Sequence, residues 1–166
     1  MDLTPLHVAL MLSILLCALV AGLLFGFAVV VMPGIANLEN REFLMAFKHM
    51  DEVIQNNQPL FIMVWGGSIL SVFITLILGT MNTAGMELYL LWFASALYLL
   101  GVQIPTFRFN IPLNNSLQSI EIQSLDESAV ALFRTSFETP WNGWNRLRTI
   151  NAVSSVSMLL VLLCLL

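Results

Sequence analysis

The chain has 166 residues, of which 58% are hydrophobic and only 10% are charged. A soluble domain of this length carries about 25% charged residues, so the composition indicates a protein that faces lipid, organised as a single domain over residues 1–166. The formal net charge is −4 and there is no basic tract, so the sequence gives no support to nucleic-acid binding.

Four apolar segments are long enough to cross the membrane as helices, which takes about 20 residues. They cover residues 8–32, 60–79, 87–104 and 145–166. The flank of the first segment, MDLTPLH, contains an acid and neither lysine nor arginine, and no clear cleavage site follows, so we expect a retained helix rather than a signal peptide. The sequence therefore predicts an all-α, multi-pass integral membrane four-helix bundle.

Four spans place the two long connections, residues 33–59 and 105–148, on the same side of the membrane. These connections contain all six basic residues of the chain: Arg41, Lys48, Arg108, Arg134, Arg146 and Arg148. The positive-inside rule therefore favours a cytoplasmic location for the long loops, at the inner or plasma membrane if the source is bacterial.

Small residues recur at every fourth position in the first two spans: Ala18, Gly22 and Gly26, then Gly67, Ser71, Thr75 and Gly79. Small residues allow helix backbones to approach closely in lipid. We expect both stripes to pack inside the bundle, with homodimerisation as the alternative.

The first long connection predicts an amphipathic helix in NREFLMAFKHMDEVIQNN. Asn40 is the predicted N-cap and Asn56 lies at the predicted end. The apolar stripe contains Phe43 and Phe47, whereas Asp51 is expected on the solvated side. Such a helix lies at the interface or forms a roof over the bundle.

The second long connection begins with TFRFNIPLNNSL, in which apolar and polar residues alternate. This alternation predicts an extended segment with one buried face. Farther along, Ser124 and Glu127 fit a capping box that would start a helix. Thr139-Pro140 predicts a new start, so the last span would begin as a separate helix near residue 140.

Familiar catalytic motifs are absent from the sequence, and its two histidines, His7 and His49, lie at opposite ends of the predicted bundle. We therefore predict no metal and no cofactor. His49 is the candidate acid or base of the loop side because its ordinary pKa is near neutrality. Arg146 and Arg148 either hydrogen-bond an oxyanion or anchor the last span at the lipid headgroups.

The order of four short motifs relative to the spans carries a family resemblance. GFAVVVMPGIANL lies at the end of the first span, IQNNQPLF before the second, PLNNSL after the third and WNGWNRLRT before the fourth. Together they resemble the anthrone oxygenase-like family of small four-span membrane proteins, over roughly residues 15–160. The resemblance implies oxidation of an anthrone to an anthraquinone by dioxygen, without metal or flavin.

One position departs from that family, whose members often carry a histidine near the start of the fourth span, where this chain has Asn145. We therefore predict that His49 is the base and that Arg146 stabilises the oxyanion. The predicted substrate-binding residues, drawn from the loops and the span ends, are Asn56, Phe107, Phe109, Asn114, Trp144 and Asn145.

The predicted ligand is a lipophilic aromatic or quinol-type compound, and the other expected contacts are membrane lipid and either a second copy of the chain or a larger membrane complex. A non-catalytic accessory or structural subunit is the alternative function. A transporter is disfavoured because no charged residue lies in the middle of a span.

Overall fold

The computed structural model describes residues 3–166, which form five helices and contain no β-strand. Four of the helices are long and apolar enough to cross a membrane. The helices are α1 Pro5–Ile35, α2 Asn40–Gln55, α3 Pro59–Asn82, α4 Gly85–Gln118 and α5 Glu127–Leu165. The predicted all-α four-helix membrane bundle is confirmed, and α2 is the predicted amphipathic helix between the first two spans.

Three of the four pairs of neighbouring spans pack against each other, and the fourth pair is separated over part of its length. Helix α1 packs against α3 and α5, and α5 packs against α4. Helix α3 contacts α4 mainly over Gly85–Tyr98, the half of α4 that is remote from the long connections. The two helices therefore stand apart at the end of the bundle where α2 and the 119–126 connection lie.

The helix ends follow local capping chemistry. The Thr4 side chain forms a capping box with His7, and Pro5 occupies the first turn of α1. Helix α2 begins at Asn40 with Glu39 as its cap residue, and Asn57 beyond its end adopts a φ of 58°. That left-handed conformation is one that asparagine tolerates, so the predicted end of α2 is confirmed.

The predicted starts of the last helix are wrong. Helix α5 begins at Glu127 rather than near Ser124, because the Asp126 carboxylate accepts the backbone N–H of Ala129. This bond, together with one from the Ser128 hydroxyl, holds the pKa of Asp126 below its ordinary value. Pro140 lies inside the same continuous helix and starts no new one.

The extended segment predicted for residues 106–117 is also wrong, because Thr106–Asn110 forms a π-helical turn and Ile111–Gln118 continues as α-helix. Near the membrane each backbone polar group needs a partner, and a helix supplies these partners within one segment. The alternation instead separates Phe107, which faces outward, from Phe109, which stacks on Trp144 of α5.

Pro105 lies in the middle of α4, and its effect on the backbone is compensated by α5. Proline has no N–H for the carbonyl four residues earlier, which is the carbonyl of Gly101. The Asn151 side chain donates to this oxygen at 3.3 Å. The two helices are close here, because a Cβ atom at Gly101 would lie 2.7 Å from the Asn151 side chain. The Asn151 side chain therefore links α5 to α4 at this point.

The two small-residue stripes differ in burial. In α3, Ser71, Thr75 and Gly79 are buried, and Thr75 shares a 2.8 Å hydrogen bond with Ser13 of α1. In α1, Ala18 and Gly22 are exposed on the outer face, so the prediction that they pack inside the bundle is wrong. The buried face of α1 is instead formed by larger residues, including Leu10, Ser13, Cys17, Val20 and Leu24.

Three basic side chains hold the loop-side cap in place. Arg41 and Lys48 of α2 donate to backbone carbonyls in residues 120–125, and Arg134 of α5 donates to those of Ala36 and Leu38 at 2.8 Å. The Arg134 guanidinium also lies 4.3 Å from the centre of the Phe43 ring. Since α2 is tied both to the 119–126 connection and to α5, it forms a roof over the end of the bundle.

Candidate functional site

A cavity of about 360 Å³ lies beneath this roof, where α3 and α4 stand apart. All five helices contribute to its wall, which is mainly apolar and aromatic. Phe27 comes from α1, Phe47 from α2, Trp65 from α3, Asn110 from α4 and Trp141 from α5. The volume is in the range of sites for small organic ligands.

Aromatic rings give the cavity a firm wall. Trp141 makes edge or tilted contacts with Phe47 and Phe27, with ring centroids 5.1 Å and 5.6 Å apart, and Phe61 stacks on Trp65 at 5.4 Å. The Trp65 indole N–H donates to Gln103 Oε1 at 2.9 Å, which joins α3 to α4. These contacts hold aromatic rings of α1, α2, α3 and α5 in the cavity wall.

Arg148 is the charged group that faces the cavity from α5, and its residue is only 4% exposed. Its Nη1 donates to Thr106 Oγ1 at 3.1 Å and its Nη2 to Asn145 Oδ1 at 3.0 Å, whereas Nε finds no partner among residues 3–166. None of the ion pairs in this part of the chain includes Arg148. A buried guanidinium stays protonated, so Arg148 has a positive charge with which no carboxylate of residues 3–166 forms an ion pair.

Neighbouring groups hold Arg148 in position. The Asn145 amide donates to the backbone carbonyl of Leu24 on α1 at 3.1 Å, which orients the oxygen that Arg148 contacts. The Arg148 guanidinium carbon also lies 5.8 Å from the centre of the Trp141 ring, within the range of a cation–π contact. The charge is thus placed by α1, α4 and α5 together.

Asn110 has a polar atom of the opposite kind, an acceptor without a partner among residues 3–166. Its Nδ2 donates to the carbonyl of Trp141 at 3.4 Å, but its buried Oδ1 has no partner within the described chain. Two residues of the cavity lining therefore have a buried polar atom without a partner in residues 3–166, a donor at Arg148 and an acceptor at Asn110. Leaving such groups unsatisfied costs about 1–3 kcal/mol each, so a ligand that pairs with them gains that contribution.

Asp51 forms a second polar group in the same wall. Its side chain accepts hydrogen bonds from Asn114 at 2.7 Å, Gln118 at 2.9 Å and Gln55 at 3.2 Å. The residue is 4% exposed, so the expectation that Asp51 is solvated is wrong. Asp51 lies one helical turn after the buried Phe47, and the amides of α4 replace the water that the carboxylate would otherwise need.

The predicted site residues are only partly brought together. Asn114, Asn145 and Phe107 line the cavity. Asn114 also accepts the Trp141 indole N–H at 2.9 Å, so it links Asp51 to the aromatic wall. Phe109 and Trp144 stack on each other with centroids 3.7 Å apart, and neither ring is part of the cavity lining.

The remaining predicted residues lie away from the cavity. The His49 side chain is 72% exposed, and its Nδ1 lies 3.6 Å from a Glu52 carboxylate oxygen. Asn56 is exposed, and Arg146 is exposed beside a separate surface groove that Glu138 also lines. The predicted clustering of Asn56 and Arg146 with Asn114 is therefore not observed, and the catalytic roles of His49 and Arg146 stay predictions without access to the cavity.

Helical spacing was the signal that could have identified the missed residues. Trp141, Asn145 and Arg148 lie at positions i, i+4 and i+7 of α5, which share one face of a helix. Thr106, Asn110 and Asn114 repeat every four residues along α4. Because residues 106–117 were predicted to be extended and α5 to start near residue 140, these two polar faces could not be recognised.

No group of three or more His, Cys, Asp or Glu side chains in residues 3–166 is arranged to hold a metal ion. Neither a curated protein nor a solved structure matches the chain. A family described as anthrone oxygenase matches residues 47–158, which include the cavity residues of α2, α3, α4 and α5. The match covers well over half of the sequence, and the chain belongs to the anthrone oxygenase family.

Proposed function

We propose that the cavity binds a flat, lipophilic aromatic that has an enolisable carbonyl or an acidic hydroxyl, and that the protein promotes its oxidation by dioxygen without a cofactor. The observation that carries the proposal is the buried Arg148, which lines a mainly apolar cavity and has an Nε–H without a partner in residues 3–166. A cation in this setting stabilises an oxyanion more strongly than it would in water.

The ligand would use both open groups of the wall. Its oxygen would accept from Arg148 Nε, and a neighbouring hydroxyl would donate to Asn110 Oδ1, two atoms that have no partner in residues 3–166. The flat ring would lie against Trp141 and Trp65. Binding is thus assigned to residues of α3, α4 and α5.

Asp51 is the proposed proton acceptor in place of His49, because its carboxylate lines the cavity. A carboxylate has about four acceptor positions, and the three amides of Asn114, Gln118 and Gln55 leave one for the substrate. Removal of a proton from the CH₂ group next to the ring system gives an enolate, whose oxygen is held by Arg148.

The enolate then reacts with dioxygen with all atoms and electrons accounted for. One electron passes from the enolate to O₂, and the resulting carbon radical and superoxide combine into a peroxide at the former CH₂ carbon. Cleavage of the O–O bond with loss of the remaining C–H proton gives a new carbonyl and releases water. One oxygen atom enters the product and the other leaves as water.

The test compares two arginines of the same helix. Wild-type protein in lipid nanodiscs is expected to oxidise anthrone faster than protein-free nanodiscs, with one atom of ¹⁸O from ¹⁸O₂ in the product. Arg148→Gln should reduce the rate by about 10²-fold or more, the magnitude typical of a lost oxyanion donor. Arg146→Gln is the matched control, because Arg146 is exposed outside the cavity, and it should retain the wild-type rate.

Two results would contradict the oxygenase proposal. One is wild-type protein that does not accelerate the oxidation, and the other is an Arg148→Gln variant as active as the Arg146→Gln control. Binding of anthrone that depends on Arg148 but leads to no oxidation would keep the site and assign the chain to the accessory role. We propose the cytoplasmic side for the cavity end of the bundle, because all six basic residues of the chain lie in the predicted long connections.

A further inference from the structure

The cavity has a side opening between α3 and α4. Four of its lining residues on these two helices are also exposed on the outer surface of the bundle: Ile62 and Gly66 of α3, and Phe107 and Ile111 of α4. Ile62 is 50% exposed and Phe107 60%. All four are apolar, and we refer to them as the lateral mouth.

The lateral mouth lies at the level of the membrane rather than in the water. Its residues belong to two of the helices that are long and apolar enough to span a bilayer. Ile62 is one helical turn inside the start of α3 at Pro59. The exposed Arg108 follows Phe107 directly, and arginine near the end of a span extends its guanidinium to the headgroups. The mouth is therefore near the boundary between hydrocarbon and headgroups.

The side of the cavity that faces the water is closed by α2. Phe47 packs against Phe137 and Trp141, with ring centroids 4.8 Å and 5.1 Å apart. Asp51 is bonded to Asn114 and Gln118 of α4. Because Arg41 and Lys48 also tie α2 to residues 120–125, opening the roof would break several bonds at once.

We infer that the ligand of this cavity enters from the lipid phase, through the lateral mouth between α3 and α4, and not from the aqueous side through the cap. The identity of the ligand rests on the proposed function, whereas the route rests on the exposed apolar mouth and the closed roof. A flat aromatic compound concentrates in the bilayer, and the mouth opens from there into the cavity that Arg148 also lines.

Two glycines allow a matched test of the route. A Cβ atom at Gly66, in the mouth, or at Gly22, on the outer face of α1, would meet no atom of the described residues within 4 Å. Gly66→Leu therefore adds bulk to the mouth with room for its Cβ atom, and Gly22→Leu adds the same bulk elsewhere on the lipid-facing surface. Both substitutions also replace glycine by a better helix former.

The readout is the tryptophan fluorescence of proteoliposomes mixed with 1-hydroxyanthraquinone, since Trp65 and Trp141 line the cavity. Gly66→Leu should slow quenching about tenfold, within the range over which association rates vary among variants of one site. Gly22→Leu should quench at the wild-type rate. Equal rates for Gly66→Leu and wild-type protein would overturn the lateral route.

A charged analogue tests the aqueous route directly. Anthraquinone-2-sulfonate has the same rings but carries a permanent charge that keeps it out of hydrocarbon. It should neither quench the cavity tryptophans nor compete with 1-hydroxyanthraquinone. Quenching by the sulfonate as fast as by the neutral compound would show entry through the cap and would overturn the inference.

A third measurement needs no ligand and so separates the route from the proposed function. A nitroxide is attached to Gly66→Cys in a Cys164→Ser background, where the remaining Cys17 is buried. Its collisions with dissolved O₂ and with a water-soluble nickel chelate are compared with those of nitroxides at Gly22→Cys and at the exposed Glu52→Cys of the cap. We expect the label at residue 66 to behave like the lipid-facing label at residue 22. A label at residue 66 that behaves like the one at residue 52 would overturn the lateral mouth. Absence of quinone quenching in wild-type protein would count against the proposed function alone.

Discussion

At the end of the bundle remote from the long connections, Leu10, Leu91, Leu159 and Leu162 are buried against one another. At the loop end the same four spans enclose a cavity, with the polar side chains of Asn110, Asn145 and Arg148 in its wall. The first end follows the rule of membrane bundles, in which close packing holds the helices together. The loop end is less closely packed and contains donors and acceptors that are not used within residues 3–166.

This difference gives the two ends of one helix separate tasks, which are packing at one end and, in the proposed function, ligand binding at the other. In α4, Leu91 and Ala94 are fully buried in the packed end, whereas Asn110 and Phe107 belong to the cavity. Substitutions in the packed end should change the free energy of unfolding and leave binding intact. Substitutions of the unused polar groups should do the reverse.

The largest effect on stability is expected for Leu91→Ala in the packed end. Truncation of a buried leucine leaves a cavity and typically costs about 2–5 kcal/mol, which is measured as the change in free energy of unfolding in mixed detergent micelles. Leu100→Ala on the same helix is the control, because Leu100 is exposed. Loss of quinone binding by Leu91→Ala at unchanged stability would break the comparison.

An intermediate effect is expected at the contact between the two regions, where Gly101 meets Asn151. A Cβ atom at Gly101 would lie 2.7 Å from Asn151 Cγ. Gly101→Ala should therefore cost about 1–3 kcal/mol as an overpacked site and displace the amide that donates to the Gly101 carbonyl. In a double-mutant cycle, Gly101→Ala should cost clearly less in the Asn151→Ala background. Strictly additive stability losses for the two substitutions would show that residues 101 and 151 do not interact energetically.

The smallest effect on stability is expected for Arg148→Met, although it removes the proposed binding group. Replacing a buried charge by an apolar side chain of similar length is often neutral or stabilising, so the free energy of unfolding should fall by less than about 1 kcal/mol or should rise. Quinone quenching should be lost. Arg134→Met is the contrasting variant, because Arg134 donates to the carbonyls of Ala36 and Leu38, and it should lower stability.

A stability loss for Arg148→Met as large as that of Leu91→Ala would contradict the division of roles. It would mean that the bonds from Arg148 to Thr106 and Asn145 support the fold rather than hold the guanidinium in place for a ligand.

Features set by runs of neighbouring residues could be predicted well. The four spans follow from apolar segments, and the stripe with Phe43 and Phe47 predicts α2. The predicted stripe in α3 is buried at Ser71 and Thr75. The equivalent stripe of α1 could not be assigned, because small residues at a spacing of four do not say which face of the helix the neighbours occupy.

The candidate site was harder to predict because it depends on helix rotation. Arg146 and Arg148 are two residues apart, which on an α-helix places them on nearly opposite faces. Only the packing of α5 against α1 and α4 decides that Arg148 points inward and Arg146 outward. The same holds for His49 and Asp51 of α2, where the cavity receives the carboxylate and the imidazole is left in water.

Composition and hydropathy alone determined the membrane class, the four spans and the amphipathic helix, because each depends on residues that are close in sequence. The family resemblance came from the order of four short motifs along the chain. The tertiary structure decided which polar groups meet, since Asp51, Asn110 and Arg148 come from three helices and converge only when α2 closes over the bundle. It also decided where the bundle stays open. The separation of α3 from α4 at the loop end arises because α3 packs on the first half of α4 and on α1, and no short stretch of sequence encodes that gap.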